Sequence, residues 1–337
     1  MRGSSVHTFS KRILTLISKN YPDTKINYEA ERRFVNLMHR RILRIGQRIT
    51  DDTILAPGRE IPVKIFFPEK NGSFPVLLFF HGGGWVSGSL ESYEKVCIQL
   101  ANRTKRIVVS VGYRLAPENK FPCAAEDCYF VTQYLSKEAI RLGIDLEHVV
   151  MAGDSAGGNL AAVVALMAKD RNGFCPQSQI LIYPTTAGDR NQTPEQFPSY
   201  YENGYNYILT KKRIEDYMEL YREKQSDIKN PYYAPLEASN LTNMPKTLII
   251  TADLDPLRDE GELFAKKLEN AGNHVELHRF ANVIHGFLTN GLFPIQTKKL
   301  FDIISLFLSE KNLRLQKNIS NINRGKNSES AAGGIHG

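Results

Sequence analysis

The chain has 337 residues, of which 42% are hydrophobic and 23% charged, a composition typical of a folded globular protein. A chain of this length buries enough surface to fold without a disulfide or a structural metal. The formal net charge is +7, but the excess lies partly in an arginine-rich segment, 32–48, and in the tail. We interpret it as solvated charge and expect no nucleic-acid partner.

The four cysteines, Cys97, Cys123, Cys128 and Cys175, form no C-x-x-C pair and lie beside no histidine cluster, which argues against a zinc site. The first three have apolar, helix-like neighbours and are expected to be small buried hydrophobic residues in a reducing compartment. The apolar stretch 13–17 is too short for a signal peptide, and no run approaches the ~18 apolar residues of a membrane span. The sequence therefore predicts a soluble cytoplasmic protein without stable membrane anchoring.

The chain begins with a segment, 1–45, that the apolar spacing predicts to be helical and amphipathic. The apolar residues at helical spacing are Phe34, Leu37, Met38, Ile42 and Ile45. Apolar runs predict strands at 63–67, 76–80, 107–111, 148–152, 179–183, 247–251 and 275–280. Helices are predicted at 92–103, 123–142, 156–170 and 259–271. Because strands that alternate with helices form crossover units, we expect one α/β catalytic domain over 46–314 with a mostly parallel sheet.

Two further regions depart from this alternation. Residues 187–235 are rich in tyrosine, contain no clear strand and separate two predicted strands. Insertions of this kind commonly cover an active site. Residues 315–337 are rich in Asn, Ser and Gly and hold almost no large apolar side chain, which predicts a disordered tail.

The strongest chemical signal is Gly153-Asp154-Ser155-Ala156-Gly157, between the predicted strand 148–152 and the predicted helix 156–170. G-x-S-x-G in the order strand, turn, helix is the setting of a nucleophilic serine. Glycine at 153 and 157 removes side chains that would collide with neighbouring strands at so tight a turn. The helix directs its N-terminal N–H groups towards the place where negative charge develops. We predict that Ser155 is the nucleophile; the alternative is an ordinary glycine-rich turn.

A second signal, His81-Gly82-Gly83-Gly84, directly follows the predicted strand 76–80. No G-K-[ST] follows it and no G-x-G-x-x-G with a downstream acid is present, so nucleotide binding is disfavoured. Glycines let backbone N–H groups approach a reacting atom closely, and these can form an oxyanion hole with the amide of Ala156. The alternative is a flexible surface loop.

A serine nucleophile needs a base to accept its proton, and the base needs an orienting acid. The histidines after Ser155 are His274, His278, His285 and His336. His285 lies in a loop after the last predicted strand, where a catalytic histidine is expected, whereas the others lie on a strand or in the tail. We predict that His285 is the base.

The orienting acid is expected after the strand 247–251, where Asp253, Asp255 and Asp259 compete. Asp259 is expected to start the next helix. Asp255 is followed by Pro256, which stiffens the loop, and the spacing favours it over Asp253. On spacing alone both Asp253 and Asp255 remain candidates.

The glycine loop and the serine turn together resemble the hormone-sensitive-lipase-like family of α/β-hydrolases, which contains carboxylesterases and lipases. Supporting motifs occur at 113–118, 121–122, 126–127, 183–184, 255–261 and 285–287. The resemblance covers roughly residues 45–310. It implies an α/β-hydrolase fold, with residues 1–45 and about 187–235 forming a helical cap over the site.

The resemblance also implies the roles of individual residues. It gives a catalytic triad of Ser155, Asp255 and His285. The oxyanion-hole amides are those of Gly83, Gly84 and Ala156, and the supporting residues are His81, Gly82, Gly153, Asp154 and Gly157. The activity implied is that of a serine carboxylesterase, acting through an acyl-enzyme on small-molecule esters of short to medium chain length and needing no cofactor or metal. An amidase or formamidase on the same triad is an alternative, as is, less favoured, a non-catalytic ligand receptor; the oligomeric state, a homodimer included, stays open.

Overall fold

The computed structural model describes residues 23–38, 47–68, 74–142, 144–191, 194–205 and 207–309. Its strands are β1 (Ile49–Ala56), β2 (Arg59–Phe66), β3 (Val76–Phe80), β4 (Ile107–Val111), β5 (Val150–Asp154), β6 (Ser178–Ile182), β7 (Lys246–Leu254) and β8 (Val275–Ile284). Its helices are α1 (Tyr28–Met38), α2 (Glu94–Thr104), α3 (Cys123–Lys137), α4 (Ala139–Leu142), α5 (Ala156–Asp170), α6 (Pro198–Glu202), α7 (Lys211–Tyr221), α8 (Arg258–Asn270) and α9 (Pro294–Phe307).

The strands form one eight-stranded sheet in the order β1-β2-β4-β3-β5-β6-β7-β8. β1 and β2 form an antiparallel hairpin, β2 is antiparallel to β4, and every pair from β4 to β8 is parallel. The prediction of a mostly parallel α/β sheet is therefore confirmed. Because parallel strands end at the same edge, the loops after β3, β5, β7 and β8 are brought together there.

The central strands are buried on both faces, which explains why their sequences are continuously apolar. In β3, Leu78 and Phe80 point into one hydrophobic cluster, which also contains residues of α3, α5 and α8. Leu77 and Phe79 point into a second cluster, which contains residues of α2 and α9. Helices thus cover both faces of the sheet, and the parallel strands between them form a rigid base for the loops.

Two elements were absent from the sequence prediction. β1 (Ile49–Ala56) has a single buried residue, Ile54, and its first half is a run of polar residues, so its sequence carries no strand signal. α9 (Pro294–Phe307) covers the second face of the sheet with Leu300, Ile304 and Phe307. The predicted helix 123–142 is divided into two helices, and the predicted strand 63–67 covers only the second half of β2.

The described part of the N-terminal segment contacts the 187–235 insertion. Lys25 pairs with Glu219 at 2.8 Å, and Lys212 donates to Asp23 at 2.9 Å. Residues 23–38 of the predicted helical segment 1–45 lie within the described residues, and α1 forms most of them; positions 42 and 45 and the predicted disordered tail lie outside. Leu37, expected on the apolar face of this segment, is 55% exposed.

The arginine-rich segment is only partly a solvated surface. Arg32 in α1 donates to the carbonyl oxygens of Val86 and Ala116 at 2.7 and 2.8 Å and pairs with Glu118 at 2.7 Å. Its charge is therefore used inside the protein, and the interpretation as solvated charge is wrong for this residue. The reason is that α1 lies against the loop that follows β3.

The cysteines have free thiols, and Cys97 and Cys128 are buried as expected, whereas Cys123 is only half-buried. In the part of the chain that the structure describes, the helices are too short or too polar to cross a membrane.

Candidate active site

Ser155 occupies the sharp turn between β5 and α5. Its backbone has φ 54° and ψ −118°, which is unfavourable for a residue with a side chain and costs on the order of 1–3 kcal/mol. The turn is held on both sides: Ser155 N–H donates to the carbonyl of Ile182 in β6 at 2.9 Å, and Asn159 N–H donates to the Ser155 carbonyl at 3.0 Å. Backbone hydrogen bonds from the sheet and the helix thus fix the strained conformation.

The glycines beside Ser155 are required by the close approach of backbone atoms. A Cβ on Gly153 would lie 2.2 Å from the carbonyl oxygen of Gly157, and a Cβ on Gly157 would lie 1.9 Å from that of Phe80 in β3. Both distances are far below van der Waals contact, and neither backbone atom can move away as a side chain could. The expectation that side chains here would collide with a neighbouring strand is confirmed.

A continuous line of polar atoms joins Ser155, His285 and Asp255. His285 Nε2 lies 2.9 Å from Ser155 Oγ, and His285 Nδ1 lies 2.7 Å from Asp255 Oδ2. Asp255 is fully buried, and its other carboxylate oxygen accepts the N–H of Leu257 at 2.8 Å. The three side chains come from the loops after β5, β7 and β8, which the parallel sheet brings to one edge.

The competing aspartates lie elsewhere. The Asp253 carboxylate accepts the N–H of Asn282 at 3.4 Å. Asp259 lies in the first turn of α8, as expected, and accepts the N–H of Ser199 at 2.6 Å. Of the three candidates, Asp255 is the one whose carboxylate contacts His285, which the spacing alone did not decide. His274 and His278 lie at or on β8, and His336 lies outside the described residues.

The glycine loop, which we define as residues 81–88, lies beside Ser155. Gly83 and Gly84 have φ values of 117° and 61°, which are readily adopted only by glycine. The Gly83 carbonyl accepts the N–H groups of Val86 and Ser87 at 3.1 and 2.8 Å, so the loop folds back on itself. Within the described residues, no protein acceptor is bonded to the N–H groups of Gly83, Gly84 or Ala156. These N–H groups have the chemistry needed to bind a developing oxyanion.

Asp154 links this loop to the serine turn. Its carboxylate accepts the N–H of Gly82 at 2.9 Å and the hydroxyls of Tyr93 and Tyr183 at 3.0 and 3.3 Å. Complete burial raises the pKa of Asp154 to about 6. The Tyr183 ring in turn packs against His285, with ring centroids 4.7 Å apart. Tyr93 and Tyr183 were not predicted as site residues; Tyr183 was identified only as part of the supporting motif at 183–184, and no motif marked Tyr93.

His81 is the first residue of the glycine loop. It is buried, its ring stacks on Tyr113 with centroids 4.3 Å apart, and its carbonyl accepts the Tyr113 hydroxyl at 2.7 Å. Burial lowers the pKa of His81 to about 4, so the imidazole is neutral near pH 7. His81 therefore supports the loop and carries no charge into the site.

A cavity of about 440 Å³ opens onto Ser155 and His285. Its floor contains the glycine loop, and Leu257 and Leu292 form part of its wall. α1 and the 187–235 insertion contribute Phe34, Val35, Ile208, Leu209, Arg213, Ile214, Tyr217 and Met218. The insertion thus lines the cavity, and of its predicted tyrosines Tyr217 does so among the described residues, whereas Tyr200 and Tyr221 are buried and do not line it.

A mostly parallel sheet of this order, with a serine on the turn after β5 and a histidine on the loop after β8, defines an α/β hydrolase. Residues 77–289 match a protein family described by its α/β hydrolase fold. The chain is 37% identical over 276 residues to esterase LipI of Mycobacterium tuberculosis, covering 80% of this chain and 84% of that one. It is 35% identical over 238 residues to an ethyl acetate hydrolase of Pseudomonas putida, covering 69% and 73% of the two chains.

Solved structures agree with these relatives. A hyperthermophilic esterase from the archaeon Pyrobaculum calidifontis superposes with a TM-score of 0.78 at 35% sequence identity, covering 91% of this chain and 99% of that one. The chain therefore belongs to the hormone-sensitive-lipase-like carboxylesterases of the α/β-hydrolase family. It is a serine carboxylic ester hydrolase, and its substrates are small-molecule esters.

Proposed function

We propose that this enzyme hydrolyses short- to medium-chain carboxylic esters through an acyl-enzyme on Ser155, with His285 as general base and Asp255 as the acid that orients it. The observation that carries the proposal is the line of contacts from Ser155 Oγ to His285 Nε2 and from His285 Nδ1 to Asp255 Oδ2, at 2.9 and 2.7 Å. Both lie within the hydrogen-bond reach that proton transfer requires.

In the first half-reaction, Ser155 Oγ attacks the ester carbonyl carbon and its proton passes to His285 Nε2. The buried Asp255 holds the proton on Nδ1 and stabilises the imidazolium that forms. The bond to the alkoxy group breaks, and the alcohol leaves with the proton from His285. Water then attacks the acyl-enzyme in the same way, giving the carboxylic acid and free Ser155.

The negative charge that develops on the carbonyl oxygen in each half-reaction is bound by the N–H groups of Gly83, Gly84 and Ala156. Ala156 is the first residue of α5, so the positive end of the helix dipole adds to this stabilisation. One such donor contributes roughly 2.7–4 kcal/mol in enzymes where it has been removed. Because both half-reactions pass through an oxyanion, the same groups serve twice.

The size and chemistry of the cavity support the substrate class. Its volume of about 440 Å³ lies near the lower end of the roughly 300–1,000 Å³ found for small-molecule sites. Its walls are largely aliphatic and aromatic, which favours an acyl or alcohol chain of modest length over a polar or polymeric substrate. Residues 1–45 and 187–235 are proposed to form a cap over the catalytic domain, 46–314.

The test is the Ser155→Ala variant assayed with p-nitrophenyl esters from acetate to dodecanoate. We expect kcat to fall by as much as ~10⁶-fold, the loss seen when a triad serine is removed. A fluorophosphonate probe should label the unsubstituted protein at Ser155 and leave the variant unlabelled. Turnover close to normal in Ser155→Ala would disprove the proposal, and absence of labelling would favour a ligand receptor. Matched ester and amide substrates separate an esterase from an amidase or formamidase.

We further propose that the enzyme is cytoplasmic, with no nucleic-acid partner and no stable membrane anchoring. The free thiols of Cys97, Cys123, Cys128 and Cys175 support a reducing compartment. Fractionation of cells tests the location, and retention on DNA at low and high salt tests nucleic-acid binding. Light scattering after size-exclusion chromatography decides between a monomer and a homodimer.

A further inference from the structure

The glycine loop has an unusual backbone that needs external support. Gly83, Gly84 and Trp85 are three consecutive residues with positive φ, at 117°, 61° and 60°. For tryptophan this conformation is strained, and such strain persists only where the surroundings hold it. The structure therefore has to supply contacts that keep Trp85, and with it the two preceding glycines, in place.

The first of these contacts comes from Tyr217 in helix α7. A Cβ on Gly84 would lie 2.4 to 2.7 Å from three atoms of the Tyr217 ring, so the ring lies directly against the Gly84 backbone. The Tyr217 hydroxyl donates to Glu31 of α1. Glu31 is buried and also accepts the Ser87 hydroxyl at 3.3 Å, and Ser87 contacts the Gly83 carbonyl. The tyrosine is thus fixed at both ends.

The second contact comes from Tyr221, one helical turn after Tyr217 on the same face of α7. Its ring stacks on the Trp85 indole with centroids 4.4 Å apart and an interplanar angle of 6°. Tyr233 continues the stack beyond Tyr221, with centroids 5.5 Å apart. Trp85 is 1% exposed, so the stacked face of the indole is removed from water. Aromatic pairs of this kind contribute beyond the area they bury.

We propose that helix α7 positions the oxyanion hole: Tyr217 holds Gly84 and Tyr221 holds Trp85, so that the insertion sets the rate of the chemical step as well as covering the substrate. This inference rests on the proposed roles of Gly83 and Gly84. Tyr217 and Tyr221 are positioning residues, because they act through the loop backbone and not on the reacting atoms.

Tyr217 and Tyr221 differ in whether they line the cavity, so their substitutions test different effects. Tyr217 lines the cavity, so changing it also alters substrate contacts. Tyr221 is fully buried and is absent from the described residues that line the cavity, and its ring stacks on Trp85, which does line it. Its hydroxyl has no hydrogen-bond partner among the described residues, so the ring alone carries the contact.

The central variant is Tyr221→Leu, and its matched control is Tyr221→Phe, which keeps the ring and removes only the unpaired hydroxyl. We expect Tyr221→Leu to lower kcat about tenfold, a fraction of the roughly 10²–10³-fold lost when an oxyanion donor is removed outright. The loss should be the same for every acyl length, and KM should stay within about threefold of its original value, because Tyr221 meets the cavity wall at Trp85, which is itself only 1% exposed. Tyr221→Phe should have the kcat of the unsubstituted enzyme.

The affinity of the enzyme for a boronic acid inhibitor distinguishes a misplaced oxyanion hole from a general loss of protein stability. Ser155 Oγ forms a bond to the trigonal boron while its proton passes to His285, and one oxygen of the tetrahedral boronate takes the place of the oxyanion. The Ki of a simple alkyl boronic acid should rise in Tyr221→Leu by the same factor by which kcat falls.

Trp85 is the single tryptophan of the chain, so its fluorescence reports on the loop directly. Its emission should shift to the red in Tyr221→Leu and not in Tyr221→Phe.

A second control is Phe121→Leu, since the Phe121 ring packs edge-on against Tyr221 and Tyr233 at 5.8 and 5.4 Å. It removes a similar apolar contact from the same cluster while leaving the Tyr221–Trp85 stack intact, and it should retain kcat. If Tyr221→Leu does not fold, Tyr221→Met carries the same test, because methionine has nearly the volume of leucine and its flexible, unbranched side chain adapts better to the gap.

The inference is overturned if Tyr221→Leu keeps its kcat and boronate Ki, or if Phe121→Leu loses activity to the same extent. Either result would leave the proposed function standing, because that proposal is disproved by a different result, the retention of activity in Ser155→Ala.

Discussion

The two halves of the proposed active site are held by different kinds of structure. The triad half is held by the sheet: Ser155 is bonded to Ile182 of β6 through its backbone, and Asp255 and His285 directly follow the parallel strands β7 and β8. The glycine-loop half is held largely by side chains, from Asp154 below and from Glu31, Tyr217 and Tyr221 above. Backbone hydrogen bonds in a sheet are insensitive to side-chain identity, whereas the loop depends on particular side chains.

The two kinds of support respond differently to substitutions that alter substrate specificity. The residues that hold the loop from above also belong to, or contact, the elements that line the cavity. A change in these elements that admits a new substrate therefore risks moving the glycine loop. By contrast, the triad should tolerate such changes, because its supports lie in the sheet.

The largest effect is expected at the triad, where Asp255→Asn should lower kcat about 10⁴-fold, as loss of the orienting carboxylate does in other serine hydrolases. An asparagine at 255 cannot stabilise the imidazolium and favours the wrong tautomer of His285. Steady-state kinetics on a p-nitrophenyl ester measures the loss. Asp253→Asn is the matched control and should keep most of its activity, because Asp253 does not contact His285; a larger loss from Asp253→Asn would reverse the assignment of the acid.

A smaller effect is expected at Asp154, the carboxylate that joins the two halves. Because its pKa is raised from 3.8 to about 6 in the folded protein, the folded state holds the proton more tightly than the unfolded state. Its contribution to stability therefore decreases as the pH rises from about 4 to 6. The change across this range is about 3 kcal/mol for a pKa difference of this size.

The measurement is the free energy of unfolding of the unsubstituted protein minus that of Asp154→Asn, at intervals between about pH 4 and pH 7. The difference should fall as the pH rises and level off above about pH 6. The opposing titration of His81 is present in both proteins and cancels. A difference that stays constant with pH would mean that the pKa of Asp154 is ordinary, and a difference that rises with pH would mean that its pKa is lowered in the folded protein.

The smallest effect is expected from Tyr217→Phe, which keeps the ring on Gly84 and removes the hydrogen bond to Glu31. Glu31 retains its contacts with Thr24 and Ser87, so we expect a loss of stability of about 1 kcal/mol and a fall in kcat of only a few-fold. Tyr200→Phe is the control, since the Tyr200 hydroxyl donates to Glu215 within the insertion at 3.0 Å and does not touch the loop. Equal losses of kcat in the two variants would show that the Glu31 contact has no special role.

Much of the triad half could be predicted from the sequence. The G-x-S-x-G turn after an apolar strand placed Ser155, and the order of segments placed His285, because parallel strands bring their following loops to one edge. The choice between Asp253 and Asp255 came from the family resemblance, since two residues of spacing do not decide which carboxylate points at a histidine. β1 was missed because its run of consecutive polar residues, 50–53, resembles a loop and breaks the alternation expected of a strand.

The glycine-loop half shows the limit of such prediction. The sequence by itself determined the α/β fold, the glycines at 83, 84, 153 and 157, and Ser155, because each depends on a local pattern or on steric limits at one turn. Only the tertiary structure showed that Tyr217 lies on Gly84 and Tyr221 on Trp85, residues more than 130 positions apart in the chain. Contacts of this kind depend on how an inserted helix packs across the sheet edge, and no short-range pattern of residues encodes that packing.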